Sequence, residues 1–145
     1  MVKPYIAAPF FNAKQTQIVE DIKAILEEQG IEYFSPKDES MFKQGDDPKD
    51  ILLLNCKAIC NAPFVIVVTD DKDVGTIWEA GFAYAKRVPI LYIWLGYKPE
   101  MKFNIMLAAS GDVVHNYTDL SYQLEFFKAH GRFDNLLKHK GMLHE

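Results

Sequence analysis

The stretch "PFVIVVTDDKDVGTIWEAGFAYAKRVPILYIWL" (63–95) decides the fold of this chain. It begins with a β-branched apolar run at 63–70 and ends with a second apolar run at 88–95. Continuous apolar runs of this kind are typical of parallel strands that are buried on both faces. The segment between them has the pattern of a helix from about Thr76 to Arg87. The stretch therefore predicts a strand–helix–strand unit with a right-handed crossover.

The same alternation continues on both sides of this unit. Further strands are expected at 4–10, 31–36 and 112–117, and further helices at 13–30, 48–62, 105–110 and 119–133. The helix at 48–62 has Asp47 as its N-cap, and its apolar character on most sides predicts that it is well covered. Five strands separated by helices predict one α/β domain over residues 1–145, with a flavodoxin-like, doubly wound, five-stranded parallel sheet flanked by helices.

A sheet of this type binds its ligands outside the carboxyl ends of its strands. That rule selects four segments as the rim of a site: "APFF" (8–11), "SPKDES" (35–40), "TDDKDVGT" (69–76) and "LGYKPEMKFN" (95–104).

The amino-acid composition limits which classes of binding partner and which cellular location we expect. The net charge of −4 argues against nucleic acid and acidic membrane surfaces, since both reward clustered Lys and Arg. No apolar run is long enough to span a bilayer, and the N-terminus lacks the pattern of a secretory signal. Cys56 and Cys60 are expected to be two buried free thiols, because their spacing on a helix is awkward for a disulfide. We therefore expect a cytoplasmic protein.

Glu79 has two interpretations that the pattern leaves open. Thr76 and Glu79 form a Thr-x-x-Glu pattern where a helix should begin, which is typical of a capping box. A carboxylate at the carboxyl edge of a central strand is also suited to be a nucleophile or a general base. The two roles are compatible, because a cap fixes the rotamer that a nucleophile needs.

The remaining rim residues favour a neutral ligand the size of a nucleoside. The run that contains Asp70, Asp71 and Asp73 is typical of a solvated acidic turn or of a Mg²⁺ site. A Mg²⁺ site of the kind found in receiver domains also needs an acidic pair after the first strand, where residues 8–11 are "APFF". That loop has no glycine to cradle a phosphate, and its two Phe residues suit a flat heterocycle. A single active carboxylate matches cleavage of a glycosidic bond. No metal and no organic cofactor is expected.

The segments "YIAAPFFNAKQ", "SPKDE", "DVGTIWEAGFAYAKRVPILYI" and "FNIMLAAS" resemble the nucleoside 2-deoxyribosyltransferases, from Tyr5 to about Tyr117. The resemblance implies transfer of 2-deoxyribose from a deoxynucleoside to a free nucleobase, with retention of the β configuration. Glu79 would be the nucleophile that forms a covalent deoxyribosyl-enzyme. Asp73 would handle the proton of the base, and the Tyr5 hydroxyl would orient Glu79.

The resemblance also implies a set of substrate-binding residues. They are Phe11, Gln15, Asp38, Asn55, Gly75, Asn104 and Met106. Asn104 and Met106 would reach the sugar across a subunit interface, which makes a homo-oligomer with shared sites part of the expectation.

Two departures and two rival functions accompany this resemblance. Asn55 stands where the family commonly has an aspartate facing the base, and no aromatic residue ends the C-terminal "GMLHE". One rival is an N-glycoside hydrolase of deoxynucleoside 5′-monophosphates, which Lys14 keeps possible and the two bulky Phe residues oppose. The other is a non-catalytic nucleotide-binding module, which has no need of a nucleophile.

Overall fold

Strands and helices alternate along the chain in the computed structural model, which describes residues 2–136 and 139–145. The elements in chain order are β1 (Tyr5–Ala7), α1 (Ala13–Glu28), α2 (Pro36–Glu39), α3 (Pro48–Asn61), β2 (Val65–Val68), α4 (Val74–Ala85), β3 (Ile90–Ile93), β4 (Lys102–Asn104), α5 (Ile105–Ser110), β5 (Asp112–Val114), α6 (Tyr117–His130) and β6 (Met142–His144). A single 3₁₀ turn, Asp70–Lys72, joins β2 to α4.

The main sheet is parallel and has the strand order β1-β2-β3-β5. Its central strand β2 is fully buried, because helices cover both of its faces and Ile66 lies between Ile6 of β1 and Leu91 of β3. The predicted strand–helix–strand unit at 63–95 is therefore confirmed, and with it the doubly wound α/β class.

The expected five-stranded sheet is wrong in its strand count. The segment predicted as a second strand, 31–36, contributes one parallel bridge in which Phe34 pairs with Tyr5. Phe34 N donates to Pro4 O at 2.8 Å, and Ile6 N donates to Phe34 O at 3.0 Å. The pairing ends there because Pro36 has no N–H to donate and instead begins α2. Phe34 thus marks the place of a fifth strand beside β1.

A second, two-stranded sheet is a feature that the sequence pattern did not predict. Strands β4 and β6 pair in parallel, and Asn104 lies opposite His144. Each strand has three residues, too few to show an alternating pattern. This sheet places the C-terminal "GMLHE", whose role the sequence left open, beside the predicted site residue Asn104.

The two long helices before β2 differ in how well they are covered. In α1, Ile18, Ile22 and Leu26 are buried, and Ile25 is half-buried. In α3, Asp47 is the N-cap as predicted and accepts from Lys49 N at 2.9 Å. The prediction that α3 is well covered is wrong, because of its residues only Ile59 is buried and "LLL" at 52–54 is exposed.

Both cysteines are free thiols, which confirms that part of the expectation. Cys56 is half-buried, but Cys60 is exposed, so the predicted burial is wrong for Cys60. None of the helices within residues 2–136 and 139–145 combines the length and the apolar character that a bilayer crossing requires.

Candidate active site

Helix α4 begins earlier than the sequence suggested, and Asp73 is its N-cap. Asp73 Oδ2 accepts from both Thr76 N and Thr76 Oγ1, each at 2.9 Å. The capping box with Thr76 as the cap is therefore wrong, because Thr76 lies inside the first turn. Glu79 falls in the second turn, beyond the reach of the unpaired N–H groups at the helix start.

Glu79 instead interacts with the sheet. The hydroxyl of Tyr5, the first residue of β1, donates a hydrogen bond to Glu79 Oε2. Tyr5 is fully buried and stacks on Phe34, with ring centroids 5.4 Å apart and planes 11° apart. The phenol is held by its burial and by this stacking, so it fixes the rotamer of the carboxylate. Oε1 of Glu79 has no hydrogen-bond partner among the described residues.

Burial raises the pKa of Glu79 to about 7, the Tyr5 hydrogen bond lowers it, and the charge of Asp73 raises it. Burial, followed by the neighbouring Glu79 charge, raises the pKa of Tyr5 far above its ordinary value, so the phenol remains a donor. Above a pH of about 7 the site thus holds a poorly solvated carboxylate with one free oxygen. Such a group is a better nucleophile than a hydrated carboxylate.

A cavity of about 400 Å³ opens in front of Glu79. This volume lies in the usual range for small-molecule sites. The cavity brings together three of the four predicted rim segments and the N-terminal half of α3. Its lining residues are Ala8, Phe10, Phe11, Pro36, Ser40, Phe42, Ile51, Leu52, Asn55, Asp73, Gly75, Thr76, Trp78 and Glu79.

Aromatic rings from two separate segments line this cavity. Phe10 and Phe11 follow β1, with ring centroids 5.1 Å apart, and Phe11 is 71% exposed. Trp78 precedes Glu79 on α4 and stacks on Phe82 at 5.6 Å, with planes 6° apart. Exposed rings next to a half-buried carboxylate suit a ligand with a flat apolar face and a polar reacting centre.

Gln15 positions the cavity's first loop and does not line the cavity. Its Oε1 accepts from Phe11 N at 2.8 Å, and its Nε2 donates to Asp71 Oδ2 at 3.0 Å. Asp71 and Lys72 have φ values of 67° and 48°, a left-handed conformation that non-glycine residues adopt at a cost. The buried amide of Gln15 thereby ties the loop after β1 to the strained turn after β2.

The acidic residues of the turn after β2 are used for different bonds. Asp70 accepts from Leu95 N at 2.9 Å and from Gly96 N at 2.7 Å, which ties this turn to the loop after β3. Asp71 is held by Gln15. Only Asp73 of the three lines the cavity, and its Oδ1 carries none of the capping bonds.

Besides Gln15, three further predicted substrate-binding residues do not line this cavity in the single chain. Asp38 forms an ion pair with Lys23 at 2.6 Å. Asn104 and Met106 line a separate cavity of about 260 Å³, to which His144 of β6 also contributes. Asn104 Oδ1 caps α5 by accepting from Met106 N at 2.9 Å.

Asn55 and Gly75 do line the cavity, on α3 and in the first turn of α4. Sequence reasoning missed four lining residues, namely Phe42, Ile51, Leu52 and Trp78. For Ile51 and Leu52 the sequence did contain a signal. Their helix is apolar on most sides, and packing against a sheet covers only one side of a helix, so apolar surface is left over for a ligand.

Comparison with known proteins places this chain in a family. The family model for nucleoside 2-deoxyribosyltransferase matches residues 4–123, so the chain belongs to that family. Its members are enzymes that act on the N-glycosidic bonds of nucleosides. A comparison with curated proteins gave no significant match.

Solved structures show the same fold at low sequence identity. The 2-deoxyribosyltransferase of Bacillus psychrosaccharolyticus is 24% identical with a TM-score of 0.71, over 82% of this chain and 90% of that one. The 2-deoxyribosyltransferase of Leishmania mexicana is 20% identical with a TM-score of 0.65, over 90% and 99% of the two chains. The CMP N-glycosidase of Clostridium botulinum is 18% identical with a TM-score of 0.59, over 86% and 99%.

Proposed function

We propose that this protein transfers 2-deoxyribose between nucleobases through a covalent deoxyribosyl–Glu79 intermediate. The observation that carries the proposal is the half-buried Glu79 carboxylate, which Tyr5 holds by one oxygen in a cavity with exposed aromatic rings. The family and the named relatives support N-glycosidic chemistry. The covalent step is our assignment.

In the first step, Glu79 Oε1 attacks C1′ of the deoxynucleoside from the face opposite the base. A C1′–O bond forms, the N-glycosidic bond breaks, and its electron pair goes to the base nitrogen. The leaving base takes up one proton. In the second step, the nitrogen of another base attacks C1′, loses one proton and releases the carboxylate, so two inversions retain the β configuration.

Asp73 is our candidate for the group that gives and takes the base's proton. Its capping bonds to Thr76 fix one carboxylate oxygen and leave the other available in the cavity.

Asp73→Asn should lower kcat/KM for transfer by about 10²–10⁴, because the amide cannot exchange a proton. Thermal stability should be preserved, because Asn is an equally good N-cap.

The control for Asp73→Asn is Asp47→Asn, which makes the same change at the N-cap of α3. That variant should retain full activity. Unchanged transfer by Asp73→Asn would remove Asp73 from the mechanism and assign the proton to solvent.

Hydrolysis of a nucleoside 5′-monophosphate is the rival that one observation favours, namely the likeness to a CMP N-glycosidase. A phosphate would call for cationic or glycine-rich partners. Among the described residues that line the cavity, none is a lysine or an arginine, and Phe10 and Phe11 occupy the first loop. These features support a neutral nucleoside as the substrate.

A homo-oligomer with shared sites completes the proposal. Asn104 and Met106 lie in a different cavity from Glu79 within one chain, and Met106 is 72% exposed. Exposed apolar side chains also lie on α3, α4 and α5, a distribution typical of surfaces that associate. We infer that a second copy brings Asn104 and Met106 to the sugar.

The free thiols of Cys56 and Cys60 support a cytoplasmic location.

Product analysis across a size-exclusion profile tests function and assembly together. Each fraction is incubated with deoxyinosine plus adenine and, separately, with deoxyadenosine plus hypoxanthine, and the products are separated by chromatography. We expect the newly formed deoxynucleoside in fractions larger than one 145-residue chain. Free base alone would indicate hydrolysis, and activity in the monomer fraction would contradict the shared site.

A further inference from the structure

The side-chain amide of Asn55 has a fixed orientation in the cavity. Ser40 Oγ donates to Asn55 Oδ1 at 2.6 Å. This distance fits an O–H···O bond and is shorter than N–H···O bonds ordinarily are, so the oxygen of the amide faces Ser40. The alternative acceptor for the Ser40 hydroxyl is Pro36 O at 3.5 Å, which is too long to compete. Ser40 itself is buried.

This orientation leaves the amide nitrogen of Asn55 for a ligand. Within residues 2–136 and 139–145, Nδ2 of Asn55 has no hydrogen-bond partner, and the Nε1–H of Trp78 has none either. The hydroxyls of Ser40 and Thr76 already donate to Asn55 and Asp73. The uncommitted side-chain donors of the cavity are therefore on Asn55 and Trp78.

We propose that Asn55, oriented by Ser40, makes this site selective for nucleobases that present hydrogen-bond acceptors, which means 6-oxopurines such as hypoxanthine and guanine in preference to adenine. The inference rests on the proposed transfer reaction. A 6-oxopurine presents O6 and N7 as neighbouring acceptors, whereas adenine presents N7 beside an amino donor. The two N–H groups of Nδ2 match the former edge and oppose the amino group of the latter.

Adenine is usually bound by an asparagine through both amide atoms, with the oxygen accepting from N6 and the nitrogen donating to N7. Here the amide oxygen is engaged by Ser40, and turning the amide would break the 2.6 Å bond. Ser40 is therefore a positioning residue for specificity, and Asn55 is the residue that contacts the base.

A competition reaction measures this preference directly. Thymidine or 2′-deoxyguanosine is supplied as the sugar donor, in separate reactions, with equal concentrations of hypoxanthine and adenine. We expect the initial ratio of deoxyinosine to deoxyadenosine to be roughly tenfold or more. The ratio is independent of the amount of active enzyme, so partial unfolding of a variant does not change it.

Two variants and one control assign the preference to these residues. Asn55→Asp should reverse or abolish the ratio, because a carboxylate only accepts. Ser40→Ala should move the ratio toward one by freeing the amide to turn. Asn61→Asp adds the same charge at an exposed position of α3 and should leave the ratio unchanged.

The outcomes separate this inference from the transfer reaction. A wild-type ratio near one, or an Asn55→Asp variant with the wild-type ratio, would overturn the specificity role while leaving transfer intact. No new deoxynucleoside from either donor would contradict the proposed function itself.

Discussion

The Glu79→Gln variant is expected to fold and to lose transfer activity by about 10³-fold or more, as enzymes do when a covalent nucleophile is removed. The amide has the same shape as the carboxylate, and its oxygen accepts the Tyr5 hydrogen bond in the same place. It cannot form the ester to C1′ that the proposal requires. Steady-state kcat/KM for a deoxynucleoside and a free base measures the loss.

The same variant should change stability in a pH-dependent way. The native protein holds a proton on Glu79 up to a pKa of about 7, whereas an unfolded Glu titrates at its ordinary value of 4.5. Between these values the native state binds more protons than the unfolded state, so this group's contribution to stability falls as pH rises through that window. Glu79→Gln removes that loss of stability. In thermal unfolding, the Tm of the variant relative to that of the wild type should therefore be higher at pH 8 than at pH 5.

Glu125→Gln is the matched control, because Glu125 is exposed on α6 and far along the chain from the cavity. It should retain both the wild-type activity and the wild-type pH dependence of stability. If Glu79→Gln had full transfer activity, equal to that of Glu125→Gln, the assignment of Glu79 as the nucleophile would be contradicted.

The second large effect is the pH dependence of the wild-type reaction. Glu79 must be ionised to attack, and its pKa of about 7 leaves roughly 1% of the carboxylate form at pH 5. We expect kcat/KM to fall about 100-fold from pH 8 to pH 5, with a half-point near 7. A flat profile over this range would show that the ionisation of Glu79 does not limit the reaction.

Tyr5→Phe tests the physical cause of that half-point. The Tyr5 hydrogen bond lowers the pKa of Glu79, so its removal should shift the profile to higher pH. Tyr33→Phe is a matched control, since the Tyr33 hydroxyl also donates to a carboxylate, Glu27 Oε1 at 2.6 Å, outside the cavity. That variant should leave the profile unchanged. A shift to lower pH with Tyr5→Phe would contradict the role of the phenol as a donor to the carboxylate.

The parts of the fold that depend on local pattern could be predicted from the sequence. The apolar run at 63–70 predicted a central strand, and β2 is buried and paired on both sides. Asp47 and Pro48 predicted the start of α3 correctly, because capping depends only on neighbouring residues. The same reasoning missed the cap of α4, since Asp73 and Thr76 are both suitable cap residues and the pattern favoured the later one.

The parts that depend on distant contacts could not be predicted. The β4–β6 sheet joins segments about forty residues apart, each with only three residues. The pairing at Phe34 ended after one residue because Pro36 has no N–H to donate and starts a helix. Exposure of the leucines on α3 likewise depends on what packs against them, which composition does not determine.

The candidate site shows the same division. Asp73 and Glu79 lie six residues apart on one helix, so their proximity follows from local structure. The contact between Tyr5 and Glu79 spans 74 residues and follows from parallel pairing of β1 with β2. The fixed amide of Asn55 depends on Ser40, 15 residues earlier, and no pattern in the sequence indicated that bond.

Trapping with a 2-deoxy-2-fluoro nucleoside is the most direct measurement. The fluorine slows breakdown of the glycosyl ester, so the covalent species lasts long enough to be detected by mass. Intact mass followed by peptide mapping locates the added sugar. We predict one fluorosugar per active site, attached to Glu79 and released when a free base is added. A label on any other residue, or turnover of the analogue by a protein that never carries a label, would contradict the covalent mechanism.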